Sequence, residues 1–434
     1  MLASRAWRAV APLLIWALGA GAAQAQTPNL RTVAAVGDPA PGGGSFAGFS
    51  VESLPILAPA NSRGDVAFFA TLLRGPGSEG LFLSSPSGLS SPGGPSSPRG
   101  PRGGRRKIAL EGDVVPGVGT LTGFGKHPIP ALNEGGDVAF AAAVGGGKAV
   151  EGIFLWSRGR VQPVAITGTA APGIGGGTLA GIESPALNDR GDVVFLATIR
   201  RGRETIDAIF GRMRGKLKKI VAQGDPAPAG GAFAGFGAPI LNNKGVVGFA
   251  AAVEGRGVPG GIFVVEGDAP RMVVGAGDDT PAGGIYFKFA ERVSLNDTGL
   301  IAFNAQLKDA PTPAGLFLVD RGAPRKLVLV GDAAPGGGTF SHFGLWPTVN
   351  NAGVVVFASS VDGGTHPIGV FVAKGDTITR VVGAGDALPG GGRLLSFGLY
   401  PLAAITPKGG VSFATAVTAT GEGTEGIYYA APAP

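Results

Sequence analysis

Apolar positions along this chain fall in short blocks of Val, Ile, Leu, Ala and Phe, each bounded by Gly, Asn, Asp or Pro. Residues 354–359 show the pattern, with Val354, Val355, Val356 and Phe357 in succession. Ahead of that block lies the piece 345–349 and the turn Asn350-Asn351-Ala352-Gly353. Behind it come a glycine turn at Gly363-Gly364, the apolar piece 369–372, the turn Lys374-Gly375-Asp376 and the piece 378–382. Their length, β-branched content and flanking turn residues predict four strands joined by tight turns. Beyond residue 25 no stretch sustains the 3.6-residue apolar period of a helix.

The block recurs along the chain. A Gly-Asp-x-x-Pro segment introduces each copy, at Pro41, Pro116, Pro172, Pro228, Pro281, Pro335 and Pro389. After a first gap of 75 residues the gaps are 56, 56, 53, 54 and 54. Asn-x-x-Gly turns follow at Asn61, Asn133, Asn188, Asn242, Asn296 and Asn350, with Thr406 standing in at the seventh. Four short strands per copy describe one propeller blade, with strands A to D running from axis to rim. The seven copies predict an all-β, seven-bladed propeller over residues 26–431.

The two ends complement each other. Residues 32–36 read as a strand D with no A, B and C before it, and residues 426–429 as a strand C with no D after it. The N-terminal strand is therefore expected to complete the last blade, closing the ring and hiding the sheet edge. An open solenoid is the competing arrangement, but it gives complementary end fragments no purpose. A closed ring without a free edge is expected to be a monomer.

Composition changes the picture in three places. Arg5 and Arg8 precede an apolar run ending in Ala23-Gln24-Ala25, which reads as a signal peptide over residues 1–25 and predicts a periplasmic or extracellular protein. The run is short for a membrane anchor, the alternative reading. The absence of cysteine leaves a fold held by packing and strand pairing, and excludes thiol catalysis and Cys-ligated metals. The net charge of +6 is local: residues 84–107 carry Arg99, Arg102, Arg105, Arg106 and Lys107 with no acid. That Ser/Pro/Gly-rich segment reads as a disordered insertion between strands C and D of the first blade. With the leader and the insertion set aside, the remainder sums to about −1, which argues against a nucleic-acid surface. A second cluster in the third copy, from Arg200 to Lys219, is a candidate patch for acidic glycans or anionic lipids if the ends of strands B and C combine.

The copies at Asn61, Asn133 and Asn296 keep the full Asn-x-x-Gly-x-x-Ala-Phe pattern. In this the chain resembles a bacterial family of exported tandem-repeat proteins named for that motif. The resemblance spans about residues 31–431 and implies an exported surface or periplasmic protein. Relatives often carry a C-terminal sorting anchor, whereas this sequence runs into a short Ala/Pro tail at 432–434, which implies a form free of the surface. The resemblance brings no catalytic residues.

Candidate chemistry is sparse. The turn Asn and Gly and the following Phe read as structural. Asp38, Asp113, Asp225, Asp278, Asp332 and Asp386 recur in Gly-Asp-x-x-Pro, with Thr169 in the remaining copy. They read as turn caps accepting backbone N–H, Thr169 being able to accept the same bonds; a rim of Ca²⁺-binding carboxylates is the alternative. Asp278-Asp279 is the only doubled carboxylate among these segments and the best single candidate for it. The histidines are His127, His342 and His366. His342 falls in the crossing before the sixth copy and His366 in that copy's B–C hairpin, two ligands short of a zinc site. Phe46/Phe49, Phe233/Phe236, Tyr286/Phe289 and Phe340/Phe343 either plug the crossings or line an aromatic mouth. Trp346 and Tyr400 lie just beyond them. No catalytic or metal constellation and no cofactor motif emerges. The reading is a non-catalytic exported binding or scaffold module for a polar ligand, glycan or protein. Its surface is expected on the face of crossings and B–C hairpins, through Trp346, Tyr400, His342, His366, Asp278 and Asp279. The alternative is a propeller hydrolase or lyase acting on a glycan or peptide, with a site built from the same loops.

Overall fold

In the computed structural model, residues 29–86, 104–124, 129–255, 257–418 and 423–432 are described. The leader, most of the basic insertion and His127 lie outside them. Every described element is a strand, and the strands form seven antiparallel sheets. Blade 6 is typical: strand B is Val355–Asp362, C is Ile368–Lys374 and D is Thr377–Gly383. The ring closes as the end fragments require. Leu30–Ala35 pairs antiparallel with Gly423–Ala430, from Leu30 opposite Ala430 to Ala35 opposite Gly426. Seven hydrophobic clusters fill the ring, one in each space between neighbouring blades.

The repeated Phe has a defined partner. On strand B it stacks on the strand C aromatic directly opposite it, as in Phe357 on Phe371 at 5.6 Å and Phe303 on Phe317 at 5.6 Å. The last blade keeps the pair with Tyr428 on Phe413 at 5.9 Å. A third ring from strand A meets its edge, as Phe340 does on Phe371 at 5.0 Å. Phe46, Phe233, Tyr286 and Phe340 are at most 1 % exposed and plug the blades, while Phe236, Phe289 and Phe343 are half-buried against the same clusters.

Strand A departs from expectation. It is broken into two pieces, Thr339–Phe343 and Thr348–Val349 in blade 6, both hydrogen-bonded to strand B. The aromatic pair and His342, read as part of the crossing, sit on the first piece. Between the pieces the chain bulges, and the breaks of neighbouring blades touch. A Cβ on Gly344 would lie 2.3 Å from the Pro401 carbonyl oxygen, and one on Gly237 would overlap the Glu291 carbonyl oxygen. The glycine after the aromatic is thus required by the neighbour's backbone.

Two further corrections concern the basic segments. Arg105–Leu110 is strand D of blade 1, so Arg105, Arg106 and Lys107 belong to the sheet and not to an insertion. The Arg105 guanidinium bonds the Val33 carbonyl at 2.8 Å and Asp38 at 2.6 Å, tying blade 1 to the closing strand. The third-blade cluster is divided between faces. Arg201 and Glu204 flank the B–C hairpin, while Met213 and Lys216 flank the C–D hairpin at the opposite end.

Candidate functional site

The Asn-x-x-Gly face is occupied by structure. Each turn Asn is buried and accepts amides within its own turn, while its side-chain amide donates to the next blade. Asn242 Nδ2 reaches the Asn296 carbonyl at 3.0 Å, Asn296 Nδ2 the Asn350 carbonyl at 2.9 Å, and Asn350 Nδ2 the Thr406 carbonyl at 3.3 Å. The following residues form a second ring, Asn243 N–H donating to Asp297 at 2.7 Å and Asp297 N–H to Asn351 at 2.8 Å. These residues surround a polar axial cavity of about 220 Å³.

The Gly-Asp-x-x-Pro carboxylates are also committed to structure. Asp278 accepts the Gly275 N–H at 2.7 Å, Asp332 the Leu329 N–H at 2.9 Å and Asp386 the Gly383 N–H at 2.8 Å, each capping the strand D before it. Several also pair with a cation from that strand, such as Arg380 on Asp386 and Lys219 on Asp225. Thr169 does not take over the acceptor role; its hydroxyl donates to the Ile166 carbonyl at 2.7 Å. Asp279 is exposed beside Asp278. Among the described residues no group of three or more His, Asp or Glu could hold a metal ion.

Trp346 and Tyr400 occupy the strand A breaks of consecutive blades, 6 and 7, and Arg292 the break of blade 5. The Arg292 guanidinium lies over the Trp346 ring at 5.2 Å. Nearer the crossings, exposed side chains line the first pieces of the same three strands: Phe287 and Lys288, His342, and Leu395. In blades 1 to 4 the positions of Phe287 and Leu395 carry Ala47, Thr122, Ala180 and Ala234, and those of Lys288 and His342 carry Gly48, Gly123, Gly181 and Gly235. Unlike side chains therefore gather on one sector of the inner wall, at the end facing the crossings. His366 is not among them: its Nδ1 lies 2.7 Å from the Ala384 carbonyl, on the outer part of blade 6. Asp278 and Asp279 stay in the crossing before blade 5.

Arg292 is 9 % exposed, its Nε is buried without a partner, and it makes no ion pair among the described residues. Burial lowers its pKa to about 10, so it remains a cation at neutral pH. Sequence reasoning missed it, although a signal was there. Pro185, Pro239, Pro347 and Pro401 stand at the equivalent position of blades 3, 4, 6 and 7, and blade 5 alone of these five has Arg292-Val293 instead. On the Asn-x-x-Gly face a second basic feature, a groove of about 1040 Å³, runs over blades 1 to 3 with Arg106, Arg158, Arg160, Arg190 and Arg212 among the residues that line it with Trp156.

Fold and wall together define a seven-bladed propeller whose inner surface differs on one side from the rest. Residues 102–432 match a family of unknown function (DUF7453), and the chain belongs to that family. No curated protein sequence matches it. Among solved structures it is similar to an oligogalacturonate lyase in complex with manganese, at 13 % identity and TM-score 0.51, covering 94 % of this chain and 98 % of that one. An oligogalacturonate lyase from Vibrio parahaemolyticus (13 % identity, 93 % and 97 % covered, TM-score 0.49) and the polysaccharide lyase Uly1 (11 %, 84 % and 88 %, TM-score 0.43) also resemble it. At such identities the likeness is one of fold.

Proposed function

We propose that this protein is an exported, non-catalytic binding module that holds a saccharide against the inner wall of blades 5 to 7. The observation that carries this reading is the concentration of exposed, repeat-breaking side chains there. Phe287, Leu395, Leu399 and Tyr400 are 59 %, 51 %, 71 % and 39 % exposed, at places where a propeller needs no large apolar group. Aromatic faces beside polar groups suit sugar rings, and loops on a rigid scaffold are where binding residues concentrate. A glycan array with the purified mature chain tests the reading. Once a binding glycan is found, alanine at Trp346 or Tyr400 should weaken it by roughly 1–3 kcal/mol. Unchanged affinity in both variants would move the site elsewhere.

A second reading is a lyase acting on an acidic glycan. It is favoured by the fold likeness to an oligogalacturonate lyase over nearly the whole chain, and by the presence of a cation and titratable groups in one wall. Proton abstraction beside a carboxylate needs both. Metal-independent release of unsaturated sugar from polygalacturonate, lost in His342→Ala or Lys288→Ala, would replace the non-catalytic reading with this one.

A further inference from the structure

Glutamates brace three of the seven joints between blades. At the joints from blade 1 to 2, 2 to 3 and 7 to 1, a glutamate opening strand C reaches across to backbone N–H groups of the next blade's strand A. Glu79 accepts Phe124 N–H at 2.8 Å, Glu151 accepts Ile182 N–H at 3.4 Å, and Glu425 accepts the N–H groups of Phe49 and, at 2.9 Å, Val51. In blades 4, 5 and 6 the corresponding residues are Gly260, Ala314 and Ile368, so the sector around Arg292 has no such glutamate. Arg292, stacked on Trp346 of blade 6, places a positive charge in the sector where these carboxylates are missing.

A guanidinium buried without a counter-charge is unfavourable by several kcal/mol in general. Its stacking on Trp346 recovers only part of that. Arg292 Nε is wholly enclosed, so the residue's remaining exposure and hydrogen-bonding capacity lie elsewhere on its side chain, beside the Trp346 ring. A planar fork of donors next to an aromatic face fits a carboxylate carried on a sugar ring, since guanidinium and carboxylate can pair through two parallel hydrogen bonds.

We propose that Arg292 is the anion-recognition residue of the inner wall and that the ligand is an acidic saccharide. Its carboxylate pairs with a guanidinium that has no ionic partner among the described residues. This rests on the reading of the wall of blades 5 to 7 as a saccharide site. The groove around Trp156 holds a similar pair, Arg106 over the Trp156 ring at 4.7 Å with its Nε also buried and unpartnered, but Arg106 is partly exposed and Asp65 favours its charge, whereas no carboxylate does so for the more deeply buried Arg292.

The test is calorimetric titration of the mature chain with trigalacturonate and with its fully methyl-esterified form, repeated on Arg292→Gln and Arg292→Met. The acid should bind wild type at least about tenfold more tightly than the ester, as expected for a charge-assisted pair worth ~1.5–3 kcal/mol. Arg292→Gln should erase that preference while leaving ester binding in place. Equal binding of acid and ester to wild type would overturn the carboxylate assignment and leave the saccharide reading standing. Binding of neither would overturn both. A ligand-free measurement separates recognition from a structural role. Removing an uncompensated charge by Arg292→Met should leave the melting temperature unchanged or raise it by about 1–3 °C. A fall of more than about 5 °C would show that Arg292 holds the blades together, and the assignment would fail.

Discussion

Replacing Asn296 with alanine should cost the ring roughly 2–4 kcal/mol. Asn296 is 4 % exposed. Its Oδ1 accepts Thr298 N–H at 3.0 Å, Leu300 N–H at 2.9 Å and the Thr298 hydroxyl at 2.8 Å, and its Nδ2 donates to the Asn350 carbonyl at 2.9 Å. Thr298 is exposed, so its groups find water and lose little. The half-buried Leu300 amide reaches water less readily and the carbonyl of the buried Asn350 does not, and each unsatisfied group costs about 1–3 kcal/mol. Asn296→Asp separates the two functions of the side chain. It keeps the acceptor for the turn amides but sets a carboxylate against the Asn350 carbonyl. That contact should raise the aspartate pKa in the folded state. The protonated form can still donate, so the variant should be nearest wild type at low pH and lose stability as pH rises through that raised pKa. Urea denaturation followed by tryptophan fluorescence at pH 4 and pH 7 reads both effects. A loss below about 0.5 kcal/mol for alanine, or an aspartate variant more stable at pH 7 than at pH 4 relative to wild type, would refute the reasoning.

Three more outcomes are expected. Deleting residues 29–36 removes the strand paired with Gly423–Ala430 and should lower the melting temperature sharply or leave the chain insoluble; a normal melt of the truncated protein would exclude closure by that strand. Gly344→Ala should cost about 1–3 kcal/mol because its Cβ would lie 2.3 Å from the Pro401 oxygen, whereas Gly175→Ala, with open space around it, should stay within about 0.5 kcal/mol; equal effects in a thermal melt would contradict the packing of the breaks. Burial pushes the Asp192 carboxyl up, but the Arg214 N–H and the Asn188 and Arg190 side chains outweigh it and hold its pKa below the usual value. Its contribution should be present above the unfolded-state pKa of about 3.9 and disappear as pH falls through the lower folded value, so Asp192→Asn should flatten the acid limb of the stability curve.

The repeat made the architecture legible because every blade solves the same packing problem with the same residues. The Phe of strand B, the Asp cap and the complementary ends each follow from one recurring constraint. The broken strand A was hidden for a local reason: Phe340 and Phe343 directly follow the glycines of the crossing, so nothing in the sequence marks where loop becomes strand. Trp346 and Tyr400 were visible as large residues interrupting a pattern. Arg292 was not, because Ala-Glu-Arg-Val reads as an ordinary solvated turn, and only the fold shows that its guanidinium is enclosed. The divided basic cluster fails similarly, since residues some ten positions apart on one strand end on opposite faces.

Closure of the ring by its first strand has a consequence for how the chain matures. Leu30 and Ala430 are partners, so the first strand made is the last to be matched. At ~5–20 residues per second of synthesis, it waits roughly 20–80 s with its edge open. Blades 1 to 6 can assemble from contacts close in sequence, but the final pairing must bring together the two most distant segments of the fold, a slow step in chain-entropy terms. A newly made molecule is therefore an open arc for most of its early life. Whatever shields the unpaired edge of Leu30–Ala35 during that interval decides how much of the protein becomes a ring and how much aggregates.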